Sequence, residues 1–128
     1  QDAMSCERGR QQALQYLTFL KDHGLLSAAG HDRAVAGVKV SDNLEQALQG
    51  AQLIQESVSE RYEIKKDVFR RIDRATQPEV ILASSSSGLL ISELQTVMKH
   101  PERSLIAHPF NPTFPKWISA HDHHGPFR

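Results

Sequence analysis

At 128 residues the chain has room for one domain of ordinary size and for a core of its own. Its fifteen basic and fifteen acidic residues cancel, which argues against nucleic acid or an anionic membrane as a partner. A single cysteine, Cys6, leaves no disulfide within these residues, and no apolar run nears the roughly 18 residues of a membrane span.

The opening residues do not read as a basic-then-apolar leader. The expectation is a globular protein of a reducing, intracellular compartment, the cytoplasm first, with mitochondrion and peroxisome left open.

In chain order, residues 6–23 read as a helix. Ala13, Leu14, Leu17 and Leu20 recur at three- and four-residue steps, and Gly24 follows as a stop. The next stretch is mixed. Residues 37–40 suit a short strand, and Ser41 or Asp42 suits the cap of a brief helix running to residue 48, closed by Gly50. Residues 51–58, "AQLIQESV", suit a buried strand. Over 60–76, Ile64, Val68, Phe69 and Ile72 form one apolar stripe among charges, and Pro78 ends the helix. "EVILASSSS" is the next strand, Ser92 opens a helix that ends near "KHPER", and "SLIAHPF", 104–110, is the last strand. Strands alternating with helices at these lengths predict βαβ units on a parallel sheet covered on both faces. Residues 113–128 break the pattern, with three of the seven histidines, two prolines and the only tryptophan, and are expected to be an irregular tail.

In an open parallel sheet, ligands bind in the crevice beyond the carboxyl ends of the strands. Three segments meet that description: "QESVSERYEIKK", the four serines 84–87, and "HPFNP". His108 and Asn111 each precede a proline, which biases both toward extended geometry and stiffens the loop. Histidine titrates near neutral pH, so one held at a strand end is suited to moving protons. The bland alternatives are a surface loop for His108, a polar turn for the serines, and a solvated first helical turn for Glu60 and Lys65. "HDHH" offers ligand-type residues without a second cluster at regular spacing, so no metal is expected. Cys6 has no evident activating partner and reads as structural.

Taken together, "AQLIQESVSERYEIKKDVF", "VILASSSSGLLISEL" and "HPERSLIAHPFNP" resemble successive motifs of the 3-hydroxyacyl-CoA dehydrogenase superfamily, in its NAD-binding domain. "ASSSSGLL" with "HPFNP" is most similar to the carnitine 3-dehydrogenase and lambda-crystallin branch. The resemblance is strong over residues 51–112 and weaker, though in register, over 6–50.

What the resemblance implies is a partial Rossmann-like, doubly wound parallel sheet of α/β class over residues 1–112. That sheet would lack its first strand and glycine-rich turn, since no G-x-G-x-x-G stretch occurs, and the expectation is a fragment of a longer protein. It also implies NAD-dependent oxidation of the 3-hydroxy group of a 3-hydroxyacyl-CoA or related acid. By the resemblance, His108 is the general base, Ser87 hydrogen-bonds the substrate oxygen beside the nicotinamide, Asn111 contacts the cofactor, and Glu60 and Lys65 contact the nicotinamide-side ribose. The family pairs its histidine with a glutamate about a dozen residues on, where this chain has Ala120. A homodimer completed by a helical C-terminal domain is implied for the full protein. The competing reading is a catalytically inactive, truncated paralogue with a structural or interaction role.

Overall fold

The computed structural model describes residues 3–109, which fall into two compact units divided between Ala47 and Leu48.

The first unit is helical. Helix α1 spans Ala3–Asp22 and stops at Gly24, whose φ of 70° is left-handed and open to glycine at little cost. Gly24 N donates to Lys21 O (3.0 Å) and Leu25 N to Leu20 O (2.9 Å), the paired bonds of a Schellman ending. Helix α2, Ala28–Gly37, is capped by Ser27, whose side chain accepts from Gly30 N at 3.1 Å.

The strand expected at 37–40 does not form. Gly37 closes α2, and Val38 N donates back to Ala34 O (3.1 Å), so it cannot enter a ladder. The alternating valines that suggested a strand are the exit of a helix. Helix α3, Leu44–Ala47, is capped by Asn43 rather than Ser41 or Asp42: Asn43 Oδ1 accepts from Gln46 N at 2.8 Å. Ser41 Oγ instead accepts from Asn43 N (3.1 Å) and fixes the approach to that cap.

The second unit holds the sheet. Strands β1 (Leu53–Glu56), β2 (Ile81–Ser84) and β3 (Ser104–Ile106) lie parallel in that order, with Glu56, Ser84 and Ile106 level with one another. Helix α4, Tyr62–Ala75, connects β1 to β2. It buries Lys65, Phe69, Ile72 and Asp73, which at four-, three- and one-residue steps form one face. Phe69 and Ile72 meet a core that includes Leu82, Leu94 and Ile106; each large apolar side chain of this kind stabilises by roughly 1.5–3 kcal/mol. On the sheet's other face Leu53 and Ile81 are exposed.

The long helix expected from Ser92 is shorter and starts earlier. Helix α5 covers Ile91–Leu94, followed by 3-10 turns at Gln95–Val97 and Pro101–Arg103. Lys99 N donates to Asp73 Oδ2 (2.6 Å) instead of to its own helix, and Pro101 has no N–H to continue one. Asn111 and the tail 113–128 lie outside the described residues.

Candidate functional site

The parallel register decides which side chains can act together. Because Glu56, Ser84 and Ile106 are level, the segments that follow them leave the sheet at one edge. The first carries Glu60, the second Ser85, Ser86, Ser87 and Gly88, the third His108.

Lys65 does not reach the surface of this edge. Its Nζ donates to both carboxylate oxygens of Glu56 (2.9 and 3.0 Å) and to Val58 O (3.2 Å), and lies 3.5 Å from Glu60 Oε2. Lys65 and Glu56 side chains are each 1% exposed. An ion pair so fully desolvated holds only when its remaining hydrogen-bonding capacity is also met. Here it is: Ser84 Oγ donates to Glu56 Oε2 at 2.6 Å, and Val58 N donates to Glu56 Oε1. One buried carboxylate thus ties the end of β1, the first turn of α4 and the end of β2.

Glu60 faces outward from that knot, with its side chain 40% exposed. Its Oε1 accepts from Ser86 Oγ (2.6 Å), Ser87 N (2.9 Å) and Gly88 N (3.0 Å). Partial burial pushes this carboxyl up. The Ser86 hydroxyl, the Gly88 and Ser87 amides and the Lys65 charge together outweigh it and bring the pKa down to about 2. Glu60 is therefore a fixed anion at any neutral pH.

The four serines divide by role. Ser84 and Ser86 are buried and turned inward onto Glu56 and Glu60. Ser85 Oγ is 2.9 Å from Ser57 Oγ and donates to Glu56 O (3.1 Å). Ser87 lies three residues past the end of β2, exposed; its amide is held by Glu60 and its hydroxyl is engaged by none of the described residues. Beside it, a Cβ added to Gly88 would meet nothing within 4 Å. Tyr62 Oη accepts from Leu90 N (3.2 Å) and pins the far side of the serine segment.

His108 is half-buried, and its Nδ1 lies 2.8 Å from Pro109 O. A carbonyl only accepts, so Nδ1 is the donor in this contact. Glu60, Ser87 and His108 are brought to one edge; Lys65 is beneath it.

Sequence reasoning passed over Glu56, Ser84 and Ser86. A signal for the first was available. Lys65 falls on the buried stripe of α4, four residues before Phe69, and a buried ammonium requires an acidic partner.

An open parallel sheet whose polar side chains gather beyond the strands' carboxyl ends defines a nucleotide-binding α/β unit. Comparison with known proteins narrows this. Residues 1–115 match the family described as 3-hydroxyacyl-CoA dehydrogenase, NAD binding domain, and the chain belongs to that family. It is 51% identical over 72 residues to an L-carnitine dehydrogenase/betainyl-CoA thioesterase of Rhizobium sp., a match covering 56% of this chain and 14% of that one. It is 42% identical over 91 residues to the L-carnitine dehydrogenase of Streptomyces coelicolor, covering 71% of this chain and 27% of that one. Among solved structures, a 3-hydroxybutyryl-CoA dehydrogenase from Escherichia coli superposes with a TM-score of 0.78 at 28% identity, covering 87% of this chain and 23% of the other. The chain thus spans less than a third of the length of each of these three proteins.

The residues present fit the hydroxyl- and amide-bearing part of NAD. Ser87 offers an exposed hydroxyl that none of the described residues engages, Glu60 a fixed acceptor, and a Cβ at Gly88 would meet nothing within 4 Å.

Proposed function

We propose that this chain carries the cofactor side of the active site of an NAD-dependent dehydrogenase. Its substrate would be a small 3-hydroxy acid or CoA thioester, with L-carnitine and 3-hydroxybutyryl-CoA, named for its relatives, the first candidates. The observation that carries this reading is the common edge: β-register sends Glu60, Ser87 and His108 off adjacent strands at one end of the sheet.

Each residue then has a role its geometry suits. His108 takes the proton of the substrate hydroxyl, and the contact of Nδ1 with Pro109 O orients its ring. Ser87 Oγ donates to the substrate oxygen. Glu60 accepts from a ribose hydroxyl through the oxygen not committed to the serine segment. Asn111 lies outside the described residues, and its contact with the cofactor is proposed from the family resemblance alone. Lys65 serves from below, by its hold on Glu60. Bound NAD supplies the hydride acceptor, and the protein's part is orientation. A homodimer is proposed for the complete protein, as is a reducing, cytoplasmic setting, with which the one cysteine among these 128 residues accords.

Calorimetry of the 128-residue chain with NAD, joined to absorbance of reduced nicotinamide in the presence of each candidate substrate, tests this. Binding heat is expected from the wild type. Where turnover is measurable, His108→Asn should abolish it while leaving NAD affinity within about twofold. Absence of NAD binding, with no amide shifts at residues 85–88 on NAD addition, would overturn the reading.

A further inference from the structure

We propose that Glu56 is a positioning residue of this site, acting through Lys65 and Glu60 on the serine segment; its link to catalysis rests on the function just proposed. Nothing in the chemistry of hydride transfer calls for Glu56 directly, because its side chain is 1% exposed and cannot touch a ligand. Its influence passes through shared donors.

Lys65 Nζ sits between two carboxylates. It donates to both oxygens of Glu56 at 2.9 and 3.0 Å and stands 3.5 Å from Glu60 Oε2. The nearer carboxylate thus decides where the ammonium rests. Glu60 in turn is divided: Oε2 faces Lys65, and Oε1 holds Ser86 Oγ and the amides of Ser87 and Gly88. While Glu56 neutralises Lys65, Glu60 is free to clasp the serine segment. Remove that charge and the ammonium has one anion left, so it closes on Glu60 and draws the carboxylate off the two amides. Ser84, whose hydroxyl donates to Glu56 at 2.6 Å and whose oxygen accepts from Ser86 N at 3.2 Å, supplies a second path to the same loop. Both paths end on the residues around Ser87. A residue buried beneath the edge therefore sets the position of the hydroxyl presented above it.

The test uses the 128-residue chain and three measurements: amide resonances of Ser87 and Gly88, NAD affinity by calorimetry, and the thermal melt. For Glu56→Gln, we expect both amides to shift and lose exchange protection, and NAD affinity to fall at least tenfold at temperatures where the variant is fully folded. Adding Glu60→Gln should then cost little more than Glu60→Gln alone, since the two act in series. A purely structural Glu56 would lower the melt while leaving the amides and the affinity of the folded protein unchanged, and that result would overturn the proposal.

Should Glu56→Gln fail to fold, Glu56→Asp keeps the charge but draws the carboxylate back from Lys65, so the ammonium shifts toward Glu60. Displaced Ser87 and Gly88 amides with weaker NAD binding in the folded variant support the proposal. Amide positions and affinity equal to those of the wild type refute it. If the wild type binds no NAD, the functional reading fails, while the amide shifts still judge the role of Glu56.

Discussion

Helix α4 buries an ion pair at each end, and the two ends do different things. At its start Lys65 meets Glu56; in its last turn Asp73 meets Arg103, with Oδ1 2.9 Å from an Arg103 Nη. Both pairs are nearly inaccessible to water. At the Arg103 end every further bond is to scaffold: the guanidinium donates to Thr76 Oγ1 (2.9 Å), Gln77 O (2.7 Å) and Val80 O (3.1 Å), and Asp73 takes Lys99 N. These groups fasten the close of α4 and the entries to β2 and β3. At the Lys65 end the network opens outward through Glu60 to exposed backbone. The same device is an anchor where its partners are enclosed and a lever where one of them faces water.

That contrast can be broken by experiment. The largest effect is expected from Arg103→Met, which leaves Asp73 buried without a counter-ion. Stability should drop by roughly 3–5 kcal/mol in a thermal or denaturant melt. NAD affinity measured well below the melting temperature should stay within about twofold; a tenfold loss in a folded variant would show that the two ends are not separable.

Next comes Glu60→Gln, expected to weaken NAD binding by about tenfold with a smaller change in melting temperature, since this side chain is partly exposed. Its pH dependence has a definite sign. The folded pKa, about 2, lies below the ordinary 4.5, so ionised Glu60 stabilises the fold above pH 4.5 and that contribution is lost as pH falls toward 2. Asp73 behaves likewise. Burial raises its pKa, but hydrogen bonds from Lys99 N and Arg103 and the Arg103 charge carry it below its usual range. The melting-temperature gap between wild type and Glu60→Gln should therefore hold steady near neutrality and close in acid. A gap that widened in acid would contradict the arrangement around Glu60.

Ser86→Ala removes a buried hydroxyl that donates to Glu60 at 2.6 Å and accepts from Leu89 N. A loss of about 1–3 kcal/mol is expected, along with an upward move of the Glu60 titration followed by NMR. The smallest effect should come from Lys66→Ala. Its pair with Glu93, at 3.6 Å, is open to solvent, and a change under about 1 kcal/mol is expected. A larger one would mean that exposed charges on α4 matter as the buried ones do.

Sequence alone revealed much of α4 and little of what it buries. Phe69 and Ile72 were evident from their spacing, as were β1, β2 and β3 from apolar runs that stop at polar clusters. Lys65 and Asp73 share that spacing, but charged residues are read as solvated by default. Their partners lie nine and thirty residues away, beyond any local period. Residues 37–40 failed for the opposite reason. Alternating valines carry strand propensity, yet Val38 spends its N–H on α2, and propensity yields to the bond already made. Helix α2 was not read from the sequence: its apolar pattern is weak, with one glycine, Gly30, in its first turn and another, Gly37, in its last. The candidate site came from the resemblance as much as from the residues: strand-end logic indicated where to look, and the motifs indicated which serine.

Burial of the Lys65–Glu56 pair has a consequence for ionic strength. Mobile ions screen charges that water can reach, and at about 0.15 M salt they do so beyond roughly 8 Å. They cannot enter between two groups that are each 1% exposed. The geometry of the strand-end edge should therefore be the same in dilute buffer and in molar salt, while the exposed pairs along α4 weaken. Any salt dependence of ligand binding at this edge then reports on charges carried by the ligand and the outer surface, not on a loosening of the site.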